Sequence, residues 1–141
     1  GGLVSGVAVA VKELRPSARV IGVEPTGAAS MYRSLEQGSA ARLERTDTIA
    51  DGLAAPFAGV RNFEIVRKYV DDVVLVEDDE IRSAMKLLLE RCKTLAEPAG
   101  AAALAALLSG RLPGGAKGGS VAVVVSGGNI ALETLSAYLG A

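Results

Sequence analysis

Three short stretches of this chain are built almost wholly of apolar residues: Val20-Ile21-Gly22-Val23, Val73-Val74-Leu75-Val76, and residues 121–125. Such β-branched runs, with no polar alternate, predict parallel strands buried on both faces. Between them the apolar positions recur at intervals of three and four, the helical period. Residues 7–14 are rich in alanine and valine and stop before Pro16, which cannot continue a helix. Residues 28–37 end at Gly38, a residue suited to the left-handed position past a helix end. The clearest helix covers 81–96, where Ile81, Ala84, Met85, Leu88, Leu89, Cys92, Leu95 and Ala96 form one stripe. Asp78 and Asp79 stand where its N-cap belongs, and their charge suits the positive end of a helix. Residues 99–108 predict a second, small-faced helix, and Asn129 opens a last one. The weakly patterned 39–58 is a long loop, of a length that usually carries function, and 110–119 is a glycine-rich surface loop.

Strands alternating with helices predict one α/β domain over 1–141, a doubly wound, mostly parallel sheet with helices on both faces. Ligands in such sheets sit beyond the carboxyl ends of the strands. Glu24 follows the first strand and Ser126 the last, and Gly1-Gly2 would follow a strand before the chain begins. One edge should therefore gather all three.

Composition narrows what that edge can do. Fifteen basic and sixteen acidic residues are interspersed, which gives no basic patch for nucleic acid. No apolar stretch is long enough to span a bilayer. The single cysteine, Cys92, excludes an internal disulfide framework and fits a reducing compartment, taken as the cytoplasm. The absence of histidine removes imidazole as base or metal ligand within these residues. Opening on Gly1-Gly2, without methionine, is the expected start of part of a longer polypeptide.

The motifs leave several chemistries open. Gly1-Gly2-Leu3-Val4-Ser5-Gly6 leads into a helix, where free N–H groups make either a phosphate cradle or a tight turn. Glu24, about twenty residues on, also has the spacing of an acid that holds ribose hydroxyls in dinucleotide-binding folds, or is a surface carboxylate. Asp51-Gly52 reads as a turn. Glu97 before Pro98 reads as a helix cap or a pocket residue. Lys12, Lys68, Lys86, Lys93 and Lys117 all sit where they are solvated, so none has the desolvated setting of a catalytic lysine.

Five segments in order resemble one family: Gly1-Gly2-Leu3-Val4-Ser5-Gly6, Val23-Glu24-Pro25, Thr48-Ile49-Ala50-Asp51-Gly52, Glu97-Pro98-Ala99-Gly100-Ala101 and Ser126-Gly127-Gly128-Asn129. The family is that of the serine/threonine dehydratases and serine racemases of fold type II, which use pyridoxal phosphate. The resemblance implies the C-terminal part of a longer ammonia-lyase, most of its larger domain. Gly1, Gly2 and Leu3 would belong to the phosphate loop, and Asp51, Gly52 and Glu97 would line the site. Gly127 would neighbour the cofactor, and Ser126 would hydrogen-bond its pyridine nitrogen.

The resemblance further implies a monovalent or divalent cation on Glu24, Ala28 and Ser30. Serine, where relatives often have aspartate, removes a charge, which weakens that site or turns it toward a monovalent ion. The Schiff-base lysine that removes the α-proton is expected upstream, so no catalytic residue is assigned within 1–141. The implied substrate is a small hydroxy amino acid, converted to a 2-oxo acid and ammonia, and the implied assembly is a homo-oligomer. An amino-acid racemase of the same family, a non-catalytic dinucleotide-binding module and a folded fragment that binds nothing are the alternatives.

Overall fold

Two of the three apolar runs form strands. β1 (Ile21–Pro25) and β2 (Asp72–Val76) pair in parallel, with Ile21 opposite Asp72 and Pro25 opposite Val76. The computed structural model describes residues 1–115 and 119–140; Lys117 and the centre of the predicted 110–119 loop lie outside them. Helix α1 (Gly2–Leu14) precedes β1. The crossover that a parallel pair requires contains α2 (Ser30–Gln37) and α3 (Val60–Tyr69). After β2 come α4 (Asp78–Leu87), α5 (Pro98–Leu108) and α6 (Leu132–Leu139).

Both faces of the ribbon are covered, as the α/β reading requires. Alternation along β2 sends Val73 and Val76 to opposite sides. Val73 is buried with Met31, Phe63 and Val66, and Val4 of α1 packs beside them. Val76 is buried with Ile81, Ala84 and Met85 of α4 and with Ala101, Ala102 and Ala105 of α5. The alanines of α5 let its backbone lie close to its neighbours. At the amino end of the sheet Asp71 acts as a clasp. Its N–H donates to Val20 O at 2.9 Å, its carboxylate accepts from Val20 N–H at 2.6 Å, and Lys12 pairs with it at 2.7 Å.

Residues 121–125 correct the expectation of a third strand. They carry no strand, and Val121, Val124 and Val125 are 47%, 49% and 38% exposed, against 4% for Val73 and 0% for Val76. A strand needs partners for its N–H and C=O groups. Among the described residues β1 and β2 pair with each other and nothing pairs with 121–125.

Helix boundaries also move. α1 starts at Gly2 rather than at residue 7, and the last helix starts at Leu132 rather than Asn129. Ala28 falls in a separate 3-10 turn, Thr26–Ala28, so α2 begins at Ser30. The 81–96 helix is shorter than its stripe suggested. It widens into a π turn, Leu88–Cys92, and closes at Lys93, whose φ of 54° is left-handed. Cys92 and Leu95 are therefore exposed instead of lining the stripe. Its N-cap is Glu77, not Asp78 or Asp79: the Glu77 and Glu80 side chains each accept from the other residue's backbone, a capping box. The 39–58 loop is tied by an isolated antiparallel bridge between Arg42 and Phe57 and holds a 3-10 turn, Asp51–Leu53. Among the described residues no helix is long and apolar enough to cross a membrane.

Candidate functional site

Freed from capping, the Asp78 side chain reaches the 39–58 loop. It accepts hydrogen bonds from Thr48 Oγ1 at 2.6 Å and from Ile49 N–H at 3.0 Å, while Thr48 Oγ1 accepts from Ala50 N–H at 3.1 Å. Two charge-assisted bonds to one carboxylate are a firm anchor. They hold the Asp51–Leu53 turn against the start of α5, close enough that a Cβ on Gly52 would stand 2.9 Å from Ala99 Cβ. There Glu97 is the N-cap of α5, but its side chain makes no capping bond, and Pro98 follows in the first turn. The Glu97 N–H instead donates to Gly127 O at 3.0 Å, which ties the segment after Ser126 to the same helix end.

Asp51, Gly52 and Glu97 thereby line one open cleft of about 180 Å³, with Asn129 and, from α6, Thr134 and Tyr138 completing its wall. Gly127 adjoins it through Glu97, and Ser126, exposed, is the next residue along. Thr134 and Tyr138 were not foreseen; their i, i+4 spacing on one helix face was the signal available. The role of Asp78 was not legible either, because its partners lie thirty residues away in the chain.

Gly1, Gly2 and Leu3 form a second group at the start of α1. Gly1 lies against Asn62, where an added Cβ would stand 3.2 Å from Asn62 Cβ, and its carbonyl accepts from Ser5 Oγ at 2.7 Å. As N-cap it offers no side-chain acceptor, and the first turn holds no acidic residue. The leading N–H groups of α1 thus receive no side-chain cap, and the space beside Gly2 is open.

Glu24, Ala28 and Ser30 form a third group, around the start of α2. The two carboxylate oxygens of Glu24 accept from Met31 N–H at 2.9 Å and Tyr32 N–H at 2.8 Å, with Ser30 Oγ at 3.5 Å. Burial pushes this carboxyl above its ordinary range, and the two amide bonds only partly offset that. Ala28 is fully buried. Among the described residues no three His, Cys, Asp or Glu side chains converge, so a cation here would rest on Glu24 with backbone and hydroxyl oxygens.

Comparison with known proteins decides what kind of molecule this is. The family model described as pyridoxal-phosphate dependent enzyme matches residues 1–127. The chain belongs to that family. It is 47% identical to an L-threonine ammonia-lyase of Geobacter sulfurreducens over 136 residues, which cover 96% of the chain and 33% of that protein. It is 44% identical to the catabolic L-threonine dehydratase of Escherichia coli K12 over 140 residues, 99% of the chain and 43% of that protein. Among solved structures, maize serine racemase superposes with a TM-score of 0.90 at 42% identity, covering 99% of this chain and 43% of that one. The chain thus spans a third to under half the length of the curated relatives it matches. The pyridoxal-phosphate family places its α/β architecture among fold type II enzymes, and a dinucleotide-binding module is set aside.

Proposed function

We propose that the polypeptide carrying this chain is a pyridoxal-phosphate-dependent ammonia-lyase, acting on a small β-hydroxy amino acid such as threonine or serine. The net reaction yields a 2-oxo acid and ammonia. The observation that carries the reading is the convergence of Asp51, Gly52 and Glu97 at one cleft, with Gly127 tied to Glu97 beside it, in a chain whose relatives bear that activity's name.

The residues present fit the cofactor chemically. The uncapped, acid-free start of α1 suits a phosphate group, and the exposed Ser126 hydroxyl suits a pyridine nitrogen. Pyridoxal phosphate, when bound, supplies an electron sink for charge developing at the substrate's α-carbon. A hydroxyl at position 126, unlike a carboxylate, would not hold the ring nitrogen firmly protonated, a setting that suits loss of the β-hydroxyl better than amino transfer. The N–H groups of Gly2 and Leu3 would hold the phosphate end, and Asp51 and Gly52 would line the site beside the ring. Glu97, whose carboxylate is free of any capping duty, is placed to hold a polar group in the cleft. None of the five lysines of residues 1–141 is assigned to take the α-proton, which is left to a lysine elsewhere in the native polypeptide. Glu24, with Ala28 and Ser30, would favour a cation, whose charge would ease the burial of its carboxylate.

The test is the intact mass of the native polypeptide after incubation with pyridoxal phosphate and reduction with borohydride. The expected result is one reduced cofactor per chain, mapped to a lysine outside 1–141. A native polypeptide without an adduct, or one joined to Lys12, Lys68, Lys86, Lys93 or Lys117, would overturn the assignment. A racemase would show itself by turning L-serine into D-serine faster than into a 2-oxo acid.

A further inference from the structure

Helix α5 contains a glycine that its composition does not call for. Residues 101–106 read Ala-Ala-Ala-Leu-Ala-Ala, yet Gly100, just before them, is buried in the first turn. Glycine in a helix is disfavoured relative to alanine, so a reason must come from packing. An added Cβ at Gly100 would overlap the carbonyl oxygen of Gly127 and stand 2.9 Å from Gly127 N and 3.1 Å from Gly127 C. All three are backbone atoms, which cannot swing aside as the tip of a side chain can. On the other side of the same segment, a Cβ at Gly128 would stand 2.6 Å from Leu95 O. The Glu97 N–H bond to Gly127 O closes the grip. The 126–128 loop is therefore clamped between the residues leading into α5 and its first turn, with backbone pressed on backbone.

We propose that Gly100 is a positioning residue: its missing side chain lets the Gly127 backbone dock on α5 and so sets where the Ser126 hydroxyl stands. The inference rests on the role proposed above for Ser126, and it adds a residue that does not itself line the cleft. A methyl group at position 100 would push Gly127 away by roughly 1 Å, the distance needed to restore ordinary contact between non-bonded atoms. Ser126, bonded to Gly127, would move with it. Misplacement by about 1 Å is enough to cost roughly a hundredfold in rate.

The experiment compares wild type and Gly100→Ala in the native polypeptide by two readouts. Residue-resolved amide exchange at Glu97, measured without cofactor, is expected to speed up at least about tenfold, while amides in the middle of α5 keep their protection. With pyridoxal phosphate bound, the absorbance band of the cofactor is expected to shift and kcat to fall about 10- to 100-fold, with KM within about threefold. Should Gly100→Ala fail to fold, Gly128→Ala displaces the same loop from its other side and is read in the same way. Wild-type exchange at Glu97 together with an unshifted band would overturn the proposal. Absence of any cofactor band in the wild-type protein would overturn the lyase reading instead, and exchange at Glu97 would then decide by itself whether Gly100 sets the loop.

Discussion

Val73-Val74-Leu75-Val76 and residues 121–125 are near twins in composition, and they end in opposite states. The first is half of a parallel pair, with Val76 fully buried; the second is irregular and exposed. Apolar content does not separate them. Partnership does: β2 has β1 beside it, α3 on one face and α4 and α5 on the other. Burial of a valine stabilises by about 1.5–3 kcal/mol only where something covers it. The comparison teaches that an apolar run is a capacity to form a strand, which a neighbouring backbone must complete.

The largest expected effect tests the covered member. Val76→Asp would place an unpaired charge in the α4–α5 core and should cost about 3–5 kcal/mol, read from the shift of the urea unfolding midpoint. A loss under about 1 kcal/mol would mean that this core is far looser than its packing indicates.

A smaller effect sharpens what keeps the pair in register. Asp71 joins Val20 and Lys12 at the amino end of the two strands, and the Lys12 hydrogen bond, followed by that from Val20 N–H, holds its carboxyl below the ordinary aspartate range. A carboxyl with a lower pKa in the folded state contributes stability that is complete above the unfolded value of about 3.9 and is lost as pH falls through the folded value. Asp71→Asn should therefore cost about 1 kcal/mol at pH 7. Thermal melts from pH 6 down to pH 2 should show wild type and variant converging below about pH 4. A gap that persists in acid would mean that the carboxylate charge is not what closes the clasp.

The smallest effect concerns the uncovered twin. In the 141-residue chain Val124→Asp should change stability by less than about 0.5 kcal/mol, since its side chain leaves water little changed. The same substitution in the native polypeptide can break the comparison: a loss approaching that of Val76→Asp would show residues 121–125 paired as a strand there.

Much of the fold was legible because its signals are local. Pro16 and Gly38 marked helix ends, Glu97-Pro98 marked a helix start, and two apolar runs marked the strands, since each depends on the backbone preferences of a few neighbouring residues. What escaped depends on distant contacts. Nothing near Asp78 in sequence says that it will anchor Thr48 and Ile49 while Glu77 takes the cap. The stripe through Cys92 and Leu95 kept its helical spacing, yet the chain leaves the helix at Lys93. Of the candidate site, the Asp51-Gly52 and Glu97-Pro98 motifs were readable as residue types in order, whereas Thr134 and Tyr138 joined them only through the placement of α6.

Residue order alone pointed to the family, the α/β class, apolar runs able to form strands and the residues with chemistry to offer, because motifs and periodicity are written in neighbouring positions. Tertiary structure decided which of those residues meet. It brought Asp51, Gly52 and Glu97 to one cleft with Gly127 tied to Glu97 beside it, turned Glu24 onto the start of α2, and left 121–125 without a partner among the described residues. The physical reason is that hydrogen bonds and close contacts act over a few ångströms in space. Which atoms come that close is fixed by the packing of whole elements and not by any stretch read by itself.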